Sequence, residues 1–300
     1  MPIRIALMAL VSLGMLAPLA ADDLYVNNAR GDDKFSGRPA SSGGENAGAV
    51  RTINRALSLA LPGDRIIVEK TEIPYRESLT LEGPRLSGTA SGSFEIVSNG
   101  AILDGTGRVP DEAWEHFIGN VFRFQPDLKS YQQVYRDGRP LRRVPVVSNR
   151  MPELKPLQWA LKDGWVYFCV EPGQTPDRYN LRHSVHQTGI TLYHVDQIEI
   201  TGLIVQGFQL DGINAHDGVE RALIRRCTLR GNGRSGLSVG GSSQVRLDQC
   251  LVGSNGSSQI RSEGHSDVDI TESRILESGS FGSGMVRTGG QISVDGQLIR

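Results

Sequence analysis

His216, Arg261 and Glu263 are the residues of this chain whose types and spacing suit proton transfer. An imidazole takes a proton, a guanidinium neutralises a neighbouring carboxylate, and a carboxylic acid returns a proton to a leaving oxygen. Around them Asn214, Asp217, Arg234, Ser238 and His265 offer hydrogen-bonding groups that fit a polyhydroxylated ligand. Asp211 and Asp217, with Glu263, add carboxylate oxygens of the kind calcium takes, although no calcium-loop spacing frames them. Each residue also has a plainer reading. His216-Asp217 is then a solvated turn pair, Arg261 and Glu263 a surface ion pair on one strand, and Arg234 and His265 edge charges. No lysine follows Lys162, so every cation of this region is Arg or His.

The elements that must position these side chains repeat. Ile198, Ile200, Leu203 and Val205 return as Ala222, Ile224, Cys227 and Leu229. They return again as Val245, Leu247, Cys250 and Val252, then as Val268, Ile270, Ser273 and Ile275. From Ile198 to Ala222, Val245 and Val268 the steps are 24, 23 and 23 residues. Each unit carries a second short strand after a polar, Gly-rich turn, at Gly212–Ala215, Gly236–Val239, Gln259–Arg261 and Gly284–Val286. A fixed period in the twenties, with alternation of two and no helical spacing, marks a β-solenoid. One coil circles a prism-like tube, and each strand pairs with its counterpart in the next coil roughly 4.8 Å away. With Ile213, Leu237, Ile260 and Met285 pointing in, one outward column is Asn214, Ser238, Arg261 and Val286. The next is His216, Gly240, Glu263 and Thr288.

Composition agrees with a turn-rich β architecture: 36 glycines and 38% hydrophobic residues in 300. A net charge of -1 gives no global attraction to nucleic acid or membrane. Residues 1–21 read as a secretory signal, with Arg4, an apolar run from Ile5 to Leu16, and small residues ending in Ala20-Ala21. That run is too short to span a membrane. The expectation is an exported chain, periplasmic or extracellular, with no membrane partner after cleavage. Cys227 and Cys250 fall in one column of adjacent coils, within reach of a disulfide. In-register stacking points both side chains the same way, which favours buried thiols instead.

Three further segments complete the layout. Residues 22–106 hold a strand at Leu24-Tyr-Val-Asn27, a polar loop, and an amphipathic helix with Ile53, Ala56, Leu57 and Ala60 on one face and Thr52 as N-cap. Residues 107–188 interrupt the repeat. Asp137-Gly138 and Asp163-Gly164 there read as tight hairpins. Eleven of the 18 aromatics lie in this insertion, all three tryptophans among them. They form either a sugar-stacking platform, with Trp159 and Trp165 as ligand contacts, or the insertion's own core. Residues 189–300 are regular coils. No cap follows Gln291 to Arg300, so the open coil is expected to be covered by a second copy, unless the chain is a shortened relative of longer enzymes.

The order Tyr25-Val26, Gly31-Asp32, Thr52-Ile53-Asn-Arg-Ala56-Leu57 and Pro62-Gly63-Asp64-Arg-Ile66 resembles the N-terminal cap of exported carbohydrate-active β-helix proteins. With the coils, the chain is similar to right-handed parallel β-helix proteins of the pectate-lyase-like superfamily. The resemblance implies an all-β, right-handed parallel β-helix with an N-terminal capping helix and a small β-hairpin insertion. It also implies a polysaccharide partner, and chemistry by proton abstraction beside a uronate carboxylate, as in lyases and epimerases. The run Ala215-His216-Asp217 resembles the P-H-D/E element of mannuronan epimerase-like β-helices, with Ala215 in place of the proline. Many lyases of the superfamily use a lysine base. Here the base must be His216 or Arg261, or come from Lys129, Lys155 or Lys162 of the insertion. Calcium often assists such enzymes. The paired aspartates of polygalacturonase-type hydrolases are not visible. The alternatives are a non-catalytic glycan-binding or surface-structural β-helix, and a glycoside hydrolase on the same fold.

Overall fold

The computed structural model describes residues 21–39, 46–276 and 283–299. The segment read as an export signal lies outside them, Ala21 excepted.

Three parallel ladders wrap one core. The first stacks Asp23–Val26, Arg65–Val68, Phe94–Ser98, Asp196–Thr201, Glu220–Arg225 and Gln244–Asp248. The second stacks Leu79–Glu82, Ile190–Tyr193, Asp211–His216 and Ser235–Val239. The third stacks Ile102–Asp104, Ile204–Gln206, Thr228–Arg230, Leu251–Gly253 and Arg274–Leu276. Two long strands, Ser258–Thr271 and Ser283–Val294, bend from the second ladder into the first. The register sets like on like. Phe94, Ile198, Ala222, Val245 and Val268 form one inward column, and Ile190, Ile213, Leu237 and Ile260 another. All are buried. Each apolar side chain thus loses water to its own counterpart above and below, which is the main stabilising term of the tube.

The coil turns through left-handed residues. Between the second and first ladders these are His194 (φ 50°), Asp217 (φ 55°), Gly241 (φ 65°) and Gly264 (φ 68°). Between the first and third they are Gly202, Arg226, Gln249 and Glu272. Gly202 alone is a glycine there, and a Cβ on it would meet the Ser98 carbonyl oxygen at 2.1 Å. The other three bear the positive φ without that relief.

At the third corner, between the third and second ladders, polar side chains satisfy the turn backbone. Asn255 Oδ1 accepts from the Asn232 N–H at 2.9 Å and from Asn232 Nδ2 at 3.0 Å, while its Nδ2 donates to Leu229 O at 3.1 Å. Cys227 and Cys250 are free buried thiols that do the same elsewhere in the coil. The Cys227 N–H donates to Cys250 Sγ at 3.3 Å, and each thiol donates to a carbonyl of an earlier coil.

The insertion leaves at this third corner, after Asp104, and returns at Ile190. It builds two four-stranded antiparallel sheets. One holds Thr106–Arg108, Leu181–Ser184, Val134–Arg136 and Arg139–Pro140; the other holds Glu115–Ile118, Val121–Phe124, Trp165–Cys169 and Trp159–Lys162. Asp137-Gly138 and Asp163-Gly164 sit in the two expected tight turns, with positive φ at both residues of each. A third hairpin, around Gly119-Asn120, was not foreseen. Trp159, Phe124, Val134, Val166 and Phe168 form a core separate from that of the coils. Tyr135 Oη donates to Gly231 O at 2.8 Å and Gln209 Nε2 to Ser130 O at 2.7 Å, fixing the insertion on the coil turns.

At the N-terminus, helix Ile53–Leu59 has the expected Thr52 cap, whose side chain accepts from the Arg55 N–H at 3.1 Å. Glu77 accepts from the Ile53 and Asn54 N–H groups as well. At the other end, Ile299 departs from the repeat. Gln297–Leu298 folds back antiparallel on Ser293–Val294 and leaves Ile299 exposed.

Two measurements check this account. Asn255→Ala orphans a buried turn N–H and a carbonyl, so unfolding stability should fall by about 2–4 kcal/mol, whereas Asn214→Ala on the outward face should cost under about 0.5 kcal/mol. The second concerns His183, buried edge-on to Phe124 at 5.1 Å, with Nδ1 unpartnered among the described residues. Burial pushes its imidazole down to about 4, with the nearby Asp127 opposing and Arg182 reinforcing. A depressed histidine stabilises the fold fully above its unfolded value near 6.5, and this contribution is lost as pH falls toward 4. The loss should be on the order of 3 kcal/mol. Melting curves of the unaltered protein should therefore drop more steeply between pH 7 and 4 than those of His183→Phe.

Candidate functional site

The outward face of the second ladder carries the residues singled out above. Asn214, Ser238 and Arg261 occupy adjacent rungs of one column, with Thr191 before them. His216 stands in the next column, directly above Tyr193, which in turn pairs with Glu82. Glu263 continues that column two rungs beyond His216, past Gly240.

The three candidate catalytic residues do not form one constellation. His216 belongs to a group with Asp217 and Tyr193. Its Nδ1 lies 2.9 Å from Asp217 Oδ2, and its ring packs on Tyr193 with centroids 5.0 Å apart. The left-handed corner at Asp217 is what turns that carboxylate back onto the imidazole. Arg261 and Glu263 form an ion pair through Nη2 and Oε1, with the arginine mostly covered and the glutamate more open. Two rungs, roughly 10 Å, separate this pair from the imidazole. The gap follows from the repeat: Gly240 fills the position between them and supplies no side chain.

Asp211 is not placed to ligate a metal. It is wholly buried, receives Arg234 Nε at 3.0 Å and Arg234 Nη2 on its other oxygen, and accepts from Ser235 Oγ. Asp211 and Asp217 also flank opposite ends of one strand, roughly 20 Å apart at 3.3 Å per residue, so no single ion meets both. Among the described residues no three His, Cys, Asp or Glu side chains gather as a metal site. Arg234 is held above the ordinary arginine value, chiefly by the hydrogen-bonded Asp211, with Glu263 and Tyr131 also contributing to that effect.

The remaining candidates divide. Ser238 is buried, Asn214 is half-buried, and His265 is exposed at the corner, its N–H donating to Gly241 O at 2.8 Å. Trp159 is corrected to a core residue: it is fully buried and its Nε1–H donates to Leu141 O at 3.0 Å. Trp165 is half-buried, with the Arg123 guanidinium 4.2 Å from its ring centroid. Of the two readings of the aromatic-rich insertion, Trp159 follows packing. Tyr193 was missed by sequence reasoning. Extending the inward alternation of Ile190 and Leu192 back one coil would have placed it beside His216.

Residues 178–299 match the family model described as "Right handed beta helix region". No curated protein matches the chain in sequence. Among solved structures, the complex of XylC with xylose aligns at TM-score 0.54 and 15% identity, covering 84% of this chain and 58% of that one. A structure described as a glycoside hydrolase aligns at TM-score 0.60 and 10% identity, covering 84% of this chain and 73% of that one. This chain thus spans little more than half the length of XylC. Identities this low carry the architecture alone. With three in-register parallel ladders and a matched coil region, the fold is a right-handed parallel β-helix.

Proposed function

We propose that the protein acts on a uronate-containing polysaccharide lying along the outward face of the second ladder, with His216 as the proton acceptor. The observation that carries this is the Asp217–His216–Tyr193 group. A carboxylate on Nδ1 orients the imidazole and favours the tautomer whose other nitrogen accepts a proton, as a general base requires. In β-elimination His216 takes the proton at C5 and the electron pair forms the C4–C5 double bond. The C4–oxygen bond breaks, and the leaving oxygen takes a proton, which in this reading comes from the hydroxyl of Tyr193, whose ring packs on His216. Return of a proton to the opposite side of C5, without bond cleavage, would make the same machinery an epimerase. Arg261 and Glu263, about two rungs away, suit contacts to a neighbouring sugar better than the reacting one. XylC bound xylose and the glycoside hydrolase support a carbohydrate ligand for this architecture. The signal-like residues 1–21 support action outside the cytoplasm, and calcium enters as a variable of the assay.

A second reading, a glycan-binding β-helix without catalysis, is favoured by one feature: Arg261 and Glu263 close on each other instead of converging with His216. Hydrolysis fits less well. Asp217 and Glu263 are each engaged by a base, His216 and Arg261, which leaves neither carboxylate free to act as acid or nucleophile.

The deciding experiment follows the ultraviolet absorbance of a new conjugated double bond on pectic, alginate and glycosaminoglycan polymers, with and without calcium. Turnover should fall at least about 100-fold in His216→Ala, and by less in Asp217→Asn. A flat trace, with no proton exchange at C5 and no new reducing ends but retained polymer binding, would replace the enzyme with the binder.

A further inference from the structure

One rung of the outward face carries no side chain. The column that holds the imidazole runs Glu82, Tyr193, His216, Gly240, Glu263 and Thr288, and Gly240 is its one glycine. The backbone does not ask for a glycine there. The left-handed φ of each corner falls on the following residue, at His194, Asp217, Gly241, Gly264 and Gly289, and Gly240 is not left-handed. Packing does not ask for it either. A Cβ on Gly240 would meet only His216 Cβ, at 4.0 Å, the ordinary contact of stacked side chains. Gly202 relieves a clash; Gly240 leaves space.

The space is a notch in the face. One wall is His216, and the other is the Arg261–Glu263 pair, two rungs or about 10 Å along the tube. A sugar ring in van der Waals contact on both sides needs about 7–8 Å between the atoms that face it. The notch has that width, and a long side chain at position 240 would fill it. Asn214, half-buried in the adjacent column, has an amide with no hydrogen-bond partner among the described residues. At the far wall the Glu263 side chain is 41% exposed and that of Arg261 19%. A ligand therefore meets chiefly a carboxylate there, which accepts from a sugar hydroxyl and repels a sugar carboxylate.

We propose that the notch at Gly240 is a subsite that seats the sugar next to the one facing His216, and that Glu263 holds this ring through a hydroxyl. The inference rests on the reading of the second ladder as the face that engages a glycan. It makes Gly240 a specificity-determining position: the missing side chain, and not a convergent set of charges, fixes where the chain of sugars lies.

The test uses the full protein on the polymers of the assay above, reading KM, or Kd where a polymer binds without turnover. Gly240→Ala should raise that constant about threefold and Gly240→Leu more than about tenfold, because the added atoms occupy the ring's place. Neither should shift the pH profile of kcat. Gly240→Ala should not lower the melting temperature, since alanine at an ordinary φ restricts the unfolded chain. It decides alone if leucine lowers the melting temperature. Glu263→Gln should weaken binding about two- to fivefold, an amide oxygen being a poorer acceptor than a carboxylate. Tighter binding in Glu263→Gln would put a sugar carboxylate at the wall and overturn the hydroxyl assignment. If a folded Gly240→Leu keeps the constant of the unaltered protein while His216→Ala abolishes turnover, the subsite falls and the catalytic reading stands. If the unaltered protein neither turns over nor binds any polymer, both fall.

Discussion

In-register stacking is the constraint on which everything else in this molecule depends. Every residue of a coil stands about 4.8 Å from its counterpart in the next, so a side chain chosen for one coil is chosen against its neighbour. Apolar columns gain from this without limit, and so do amides, since Asn255 both donates and accepts along its column. Charges do not. Glu95 and Glu199 are direct rung partners on the first ladder, and Glu95 is raised above the ordinary carboxylate range, by burial first and by Glu199 next. Elsewhere on that ladder opposite charges meet on direct rungs, as in Arg65–Asp23 and Arg225–Asp248, while Asp196, opposite Glu220, pairs diagonally with Arg221.

The same rule decides what the second ladder presents. Between His216 and Glu263 the column holds Gly240, and Arg261 turns to the carboxylate on its own strand. The face therefore offers two local groups rather than one convergent site. Where the imidazole does have a partner, the coil corner supplies it: a left-handed Asp217 follows the strand and reaches back. Corner geometry, not strand geometry, builds the dyad.

The columns were legible in the sequence because period and alternation are set by burial, which every coil repeats. Thus Asn214–Ser238–Arg261 could be placed on one face from residue numbers alone. The hairpins at Asp137-Gly138 and Asp163-Gly164 were legible because a two-residue turn with positive φ demands those residues. What stayed hidden was what depends on how far a long side chain reaches. The Arg261–Glu263 ion pair was legible as the plainer of two readings of one strand, but Arg234 could not be assigned to Asp211, because alternation fixes where a Cβ points and not where a guanidinium ends. Trp159 was ambiguous for a different reason. A tryptophan dense in an aromatic segment serves packing or stacking equally well until its partners are known, and the Leu141 carbonyl on its Nε1 settles it as packing.

A solenoid that satisfies its own rungs has little unmatched charge left for a ligand, and this bears on where recognition must come from. Arg221, Arg225, Arg234 and Arg261 of the coils are each bound to a carboxylate of the same tube. Drawing any of them onto a substrate would first break a contact that holds two coils or one strand together. The insertion is free of that rule. Its strands run antiparallel, its sequence does not repeat, and its cations need not match a neighbour 23 residues away. The insertion's cations find their carboxylates locally instead, as in Arg108–Asp111, Arg123–Glu115 and Lys162–Asp163.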